Sequence, residues 1–153
     1  MRLFDFQCLV NRWAMKCFST EYVTDKTERG FRFLEEALEL AQAAGVTRSQ
    51  AFELLNYTYN RPSGIVRQEV GGVLTTLGIF CTVHDISLEM AAREELDRIC
   101  EPDMMDRIRQ KQAAKPHGSP LPGVYPHDME TSKIVGDPAN AGGSAVAQTK
   151  QGK

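Results

Sequence analysis

Through residue 112 the chain keeps apolar side chains at helical spacing, and only Pro62 and Pro102 interrupt the rhythm. Strand-like alternation bounded by turn residues is nowhere convincing, so the pattern predicts an all-α helical bundle. The spacing places helices at about 3 to 18, 27 to 44, 48 to 59, 65 to 83, 88 to 100 and 102 to 112. Local chemistry marks several ends. Asp25-x-x-Glu28 and Thr47-x-x-Gln50 read as capping boxes, Gly45 suits a helix C-cap, Pro102 fits a first turn, and RPSG at 61 to 64 reads as a turn. No internal repeat stands out.

Beyond residue 112 the composition changes to five prolines, a Gly-Gly pair at 142 to 143 and small polar residues. The expected organisation is one folded unit at 1 to 112 and a proline- and glycine-rich tail at 113 to 153, extended and partly disordered. Within the tail, Leu121, Val124 and Tyr125 are apolar enough to lie along a neighbouring surface. The whole chain has 153 residues, 42% apolar and 25% charged, which is ordinary for a soluble domain. Asp5 and Gln7 break the only apolar stretch at the start that a secretory leader would need, so the expectation is a cytoplasmic protein with no membrane partner. A net charge of −2 provides no global field for nucleic acid. Cys8, Cys17, Cys81 and Cys100 form neither a C-x-x-C pair nor a dense disulfide pattern, and are expected as reduced, mostly buried thiols.

Two segments carry chemistry. In RFLEEALELAQ, residues 32 to 42, Glu35, Glu36 and Glu39 fall within about 100° of the helical wheel, opposite Phe33, Leu34, Leu38 and Leu40. An exposed stripe of like charges costs only about 0.2 to 0.5 kcal/mol per pair, so the stripe alone is compatible with a solvated face. Glu69 lies in a second run, QEVGGVLTTLGIF, in register with Val73, Thr76 and Phe80, and is expected to be at least partly buried. A carboxylate withdrawn from water needs a partner. The plain alternative is a salt bridge to Arg67, Arg61 or an arginine of another helix. If the two helices pack antiparallel, Glu69 faces the stripe, and the clustered oxygens suit Mg²⁺ or Mn²⁺.

These residues stand in order with W-x-x-x-C-F at 13 to 18, D-x-x-E-R at 25 to 29, RP-x-G at 61 to 64 and IRQKQ-x-x-K at 108 to 115. The set resembles the MazG-like all-α nucleoside triphosphate pyrophosphohydrolases, most of all their short phage members of the MazZ type, over about residues 1 to 122. The resemblance implies metal-dependent cleavage between the α and β phosphates, giving a monophosphate and pyrophosphate. It implies Glu36, Glu39 and Glu69 as metal ligands, Glu35 as a ligand or the base that orients water, and dGTP, with dATP second, as substrate. One position departs from the pattern. The family's second acidic helix reads ExxD, whereas this chain has Gly72 where the aspartate belongs. Asp85 is the nearest substitute, although a straight helix puts it about 24 Å from Glu69, and its ordinary role would be a helix N-cap.

Phosphate binding calls for cations, and Arg61 and Arg67 flank the second acidic segment while Lys111 and Lys115 match the family's C-terminal contacts. A solvated basic face is the alternative for the lysines. For the base, Asn11 and Trp13 on the first helix offer an amide edge and an indole face, although Trp13 also suits a core. Gly71, Thr75, Gly78 and Thr82 make a stripe of small side chains, which points to close approach by another helix of the same chain or of a second subunit. The resemblance favours a homodimer or homotetramer. A catalytically silent helical module that binds nucleotide or protein is the competing expectation, because Gly72 stands where a ligand should be.

Overall fold

A computed structural model describes residues 2–115 of the chain. Over these residues the fold is all-α, with α1 at Leu3–Cys17, α2 at Thr20–Thr24, α3 at Lys26–Ala43, α4 at Arg48–Tyr59, α5 at Val66–Val83, α6 at Leu88–Cys100 and α7 at Pro102–Ala113. Six helices match the sequence expectation to within a residue or two. The short α2 was not expected; Ser19 starts it by accepting from the Tyr22 backbone N–H. The expected tail contacts at Leu121, Val124 and Tyr125 lie outside the described residues.

The helix ends follow from local chemistry. Thr47 and Gln50 form a full capping box at α4, and Asp25 accepts from the backbone N–H groups of Thr27 and Glu28 at α3. Glu28 does not complete a second box, because its carboxylate turns to Tyr22 and Arg32 instead. Ser87 caps α6 and Pro102 opens α7.

A repeat absent from the sequence reading is present in the backbone. α3 and α5 are each 18 residues long, begin forty residues apart at 26 and 66, and are followed by helices that begin at 48 and 88. Both end in a Schellman turn. Gly45, at φ 87°, donates to Gln42 O at 3.0 Å while Val46 donates to Ala41 O at 3.0 Å; Asp85, at φ 55°, donates to Thr82 O at 3.3 Å while Ile86 donates to Cys81 O at 2.9 Å. A hydroxyl N-cap, Thr47 or Ser87, follows each turn. Asp85 is therefore the left-handed C′ residue of α5 and not the N-cap of α6. The side chains of the two halves share little, so the repeat is legible only as helix length and end chemistry.

Packing is uneven. Broad contact joins α6 to α7, α1 to α7, α1 to α2 and α2 to α3. Ala14, Cys17, Cys81 and Leu96 are the buried apolar residues among those described. Long-range hydrogen bonds fasten α1 to the C-terminal helices: the Trp13 indole donates to Ile99 O at 2.8 Å, and Arg109 donates to Lys16 O at 3.0 Å. Each satisfies a carbonyl near a helix end that has no partner inside its own helix. Cys17 and Cys81 are buried as expected, whereas Cys8 and Cys100 are exposed.

The middle of the chain does not join this core. Every residue from Phe52 to Thr76 is exposed, including Leu54, Leu55, Val70, Val73 and Leu74. No single described helix is long and apolar enough to cross a membrane, and the α5 to α6 pair bends by 101°. Nothing lies within 4 Å of a Cβ placed on Gly71, Gly72 or Gly78. The Thr75 and Thr82 hydroxyls donate back to Gly71 O and Gly78 O, so the small-residue stripe meets its own polar needs.

Candidate functional site

α3 is turned opposite to what its wheel suggests for a lone soluble helix. Its apolar side chains Phe33, Leu34, Leu38 and Leu40 are exposed, while its charged side, from Arg29 through Arg32 and Glu35 to Glu36 and Glu39, lines a cavity of about 610 Å³. The other walls come from α1, α2, α6 and α7. They contribute Trp13, Phe18 and Tyr22 as an aromatic side, Glu95 and Arg98 from α6, and Lys111 and Lys115 from the end of the chain's described part. Phe18 stands edge-on to Trp13, with centroids 5.7 Å apart, and tilted against Tyr22 at 5.0 Å.

Charges of both signs meet along the cavity. At the start of α3, Glu28 accepts from the Tyr22 hydroxyl and lies 3.1 Å from Arg32 Nε, while Arg32 also pairs with Glu35. Arg29 lies over the Tyr22 ring at 4.3 Å. Burial, followed by the hydrogen bond to Glu28, pushes the Tyr22 phenol up to about 12. One to three turns further along α3 the balance reverses. Burial, then the negative charges of Glu39, Glu35 and Glu95, raises the Glu36 carboxyl above its ordinary range against the opposing pull of Lys111. Arg98 holds Glu95 in two hydrogen bonds of 2.6 and 2.7 Å.

The structure thus brings together Glu35, Glu36, Glu39, Trp13, Lys111 and Lys115 of the sequence-predicted residues. Trp13 ties α1 to α6 through its N–H and also lines the cavity. The other predicted residues lie elsewhere in this chain. Asn11 is exposed and does not line the cavity. Arg61 is exposed and stacks on Tyr57 at 4.5 Å, and Arg67 is exposed. Asp85 is exposed in its turn.

Glu69 differs most from expectation. The predicted burial is not found: it is exposed in the first turn of α5, and its carboxylate folds over Gly64, where a Cβ would collide with it. A negative group suits the positive end of a helix, which is reason enough for its pose. α3 and α5 are also not among the helix pairs in closest contact, so the antiparallel packing on which Glu69's place beside the stripe depended is not seen among the described residues. The salt bridge considered for it, to Arg61 or Arg67, is likewise not among those formed by the described residues.

Glu95 is the acid that sequence reasoning missed. It sits on the inward stripe of α6 with Ala92, Leu96 and Ile99, at spacings of three and four. That is the same signal by which Glu69 was singled out, so periodicity alone could have found Glu95. The donors around Glu36 are all carboxylate oxygens, which suit hard divalent cations in kind. Among the described residues, however, no group of three or more acidic, histidine or cysteine side chains stands at metal-binding spacing.

Comparison with family models, with curated proteins and with solved structures finds no match for this chain.

Proposed function

We propose that this protein hydrolyses purine deoxynucleoside triphosphates, dGTP and then dATP, to monophosphate and pyrophosphate. The observation that carries this reading is that a carboxylate group, five cations and an aromatic wall meet in one cavity. Glu35, Glu36 and Glu39, with Glu95 beside them, would hold Mg²⁺ or Mn²⁺, which supplies charge neutralisation at phosphate oxygens and a more acidic bound water. A carboxylate of the same group accepts the proton of the attacking water. Lys111 and Lys115 neutralise and position the phosphates. Trp13 and Phe18 present aromatic surface to a base and exclude water from its faces.

The reading includes a homodimer or homotetramer. α5 exposes Val66 at 80% and Val70 at 54%, and α3 and α4 expose further large apolar side chains. Extensive apolar surface left in water by one chain points to a partner that covers it. A second copy that covers it also supplies Glu69, on the exposed α5, to complete the acidic group that one chain leaves open.

A second reading, a catalytically silent nucleotide- or protein-binding module, is favoured by one observation: the carboxylates of the described residues do not converge to ligand spacing. Incubation with each deoxynucleoside triphosphate and Mg²⁺ or Mn²⁺ separates the two. Monophosphate and pyrophosphate are the expected products, with dGTP fastest. Diphosphate with orthophosphate, or no turnover with any nucleotide, overturns the hydrolase.

A further inference from the structure

We propose that Tyr22, Glu28 and Arg32 are positioning residues, which together clamp the Glu35 carboxylate in one pose at the cavity wall. This rests on the functional reading above and deepens it, by naming what holds one of the carboxylates to which that reading gives the metal and the attacking water.

Spacing comes first. Glu28, Arg32 and Glu35 follow one another at intervals of four and three on α3, so one stripe of the helix carries a carboxylate, a guanidinium and a second carboxylate in that order. Arg32 Nε lies 3.1 Å from Glu28 Oε1, and Arg32 Nη1 donates to Glu35 Oε2. A planar guanidinium engaged from both sides has little rotamer freedom left, and it fixes the carboxylate it donates to in direction as well as in place. That bond takes one oxygen of Glu35, Oε2, and aims the second by the same geometry.

Burial sets this chain of charges apart from the others. The Glu28, Arg32 and Glu35 side chains are 11%, 15% and 25% exposed, whereas the ion pairs of the described residues at α1, α6 and α7 leave theirs 40% to 85% exposed. Exposed pairs form and break with little effect; a pair withdrawn into a cavity wall keeps its geometry, because breaking it strands a charge away from water.

Two local features serve the same end. Glu28 stands where a capping box would turn it back to the Asp25 backbone N–H, yet its carboxylate goes to Tyr22 and Arg32. Tyr22 is delivered by the short α2, and Phe18 and the Arg29 guanidinium both pack on its ring. Its phenol, pushed up to about 12 by burial and then by the bond to Glu28, keeps its proton and goes on donating well above neutral pH. The clamp thus gives α2 a purpose: it seats the hydroxyl that steadies Glu28, which steadies Arg32, which aims Glu35.

The full chain is tested in two ways. Side-chain nitrogen NMR of the free protein should resolve separate Nη signals for Arg32, because rotation about its Nε–Cζ bond is slowed, and Glu28→Gln and Glu35→Gln should each merge them. In dGTP turnover with Mg²⁺, Glu28→Gln should lower kcat by about tenfold to a hundredfold and Tyr22→Phe by at least about threefold, with KM within about threefold for both. Glu28→Asp, which keeps the charge, should recover part of the loss. Ion pairs of merely structural value would lower the melting temperature and leave kcat alone. Should Glu28→Gln lose its helical circular dichroism, Tyr22→Phe, which keeps the ring, decides. Merged Arg32 signals in the wild type, wild-type kcat in Glu28→Gln and Tyr22→Phe, or a loss carried by KM overturns the clamp. Separate Arg32 signals in a wild-type protein that turns over no nucleotide remove the hydrolase and leave the clamp.

Discussion

The α3–α4 pair and the α5–α6 pair each begin with an 18-residue helix and share the same turn, yet they bury opposite members. In the first, α3 lines the cavity and α4 is largely exposed; in the second, α5 is exposed through Thr76 and buried only at Cys81 in its last turns, while α6 lines the cavity with Ala92, Glu95, Leu96 and Ile99. The consequence is a molecule of two regions. One is a walled, charged cavity fastened by Trp13 and Arg109, and the other is an apolar arm from Phe52 to Thr76 with no cover among the described residues. A polar face turned inward on α3 and an apolar face turned outward invert the usual rule for a soluble helix. The inversion is reasonable if the inward face serves a charged ligand and the outward face serves another copy of the chain.

The strongest way to break this division is to ask whether the arm belongs to the cavity of a neighbouring copy. Glu39→Gln and Glu69→Gln should each reduce nucleotide turnover by at least about a hundredfold, with the helical content unchanged. In a two-fold assembly with shared sites, mixed dimers refolded from the two inactive chains carry one intact site, and about a quarter of wild-type activity should return. An inactive mixture, or an unimpaired Glu69→Gln, shows that the arm does not complete the site.

Stability should divide along the same line. Leu96→Ala removes a side chain only 8% exposed in the cavity-forming core, and urea unfolding should report a loss of about 2 to 5 kcal/mol. Leu74→Glu places a charge on the arm, where the described residues form no core. Its expected effect is a smaller assembly by light scattering, with the helical content kept. If Leu74→Glu leaves the molar mass unchanged, the apolar arm is not the surface that joins copies.

The smallest effect distinguishes the regions by thiol chemistry. Burial raises the Cys17 thiol above its ordinary range, against the lowering influence of Arg109. A thiol raised in the folded state keeps its proton where the unfolded chain has begun to lose it, so stability from this group falls as pH rises through the ordinary cysteine range toward the folded value. Alkylation at mildly alkaline pH should therefore modify Cys8 and Cys100 promptly and Cys17 only on unfolding, as mass spectrometry of the labelled peptides would show. Prompt modification of Cys17 means that α1 is not seated on α7 as described.

Much of the fold was legible in the sequence because a helix end is decided within a few residues. Thr47 and Gln50, Asp25, Gly45 and Pro102 act on their own turns, and each boundary they predict is present. The stripe of Glu35, Glu36 and Glu39 is likewise a property of one helix. Which acid joins that stripe is a different kind of question. Glu69 and Glu95 both sit in register with apolar neighbours, and periodicity cannot rank them. The tertiary structure decides it, since α5 leaves the core at a 101° bend and carries Glu69 away, while α6 packs on α7 and holds Glu95 beside Glu36. Caps and stripes are set by forces that reach about one turn of helix; the meeting of two faces depends on the direction of the turn between them, which the identities of its residues did not reveal.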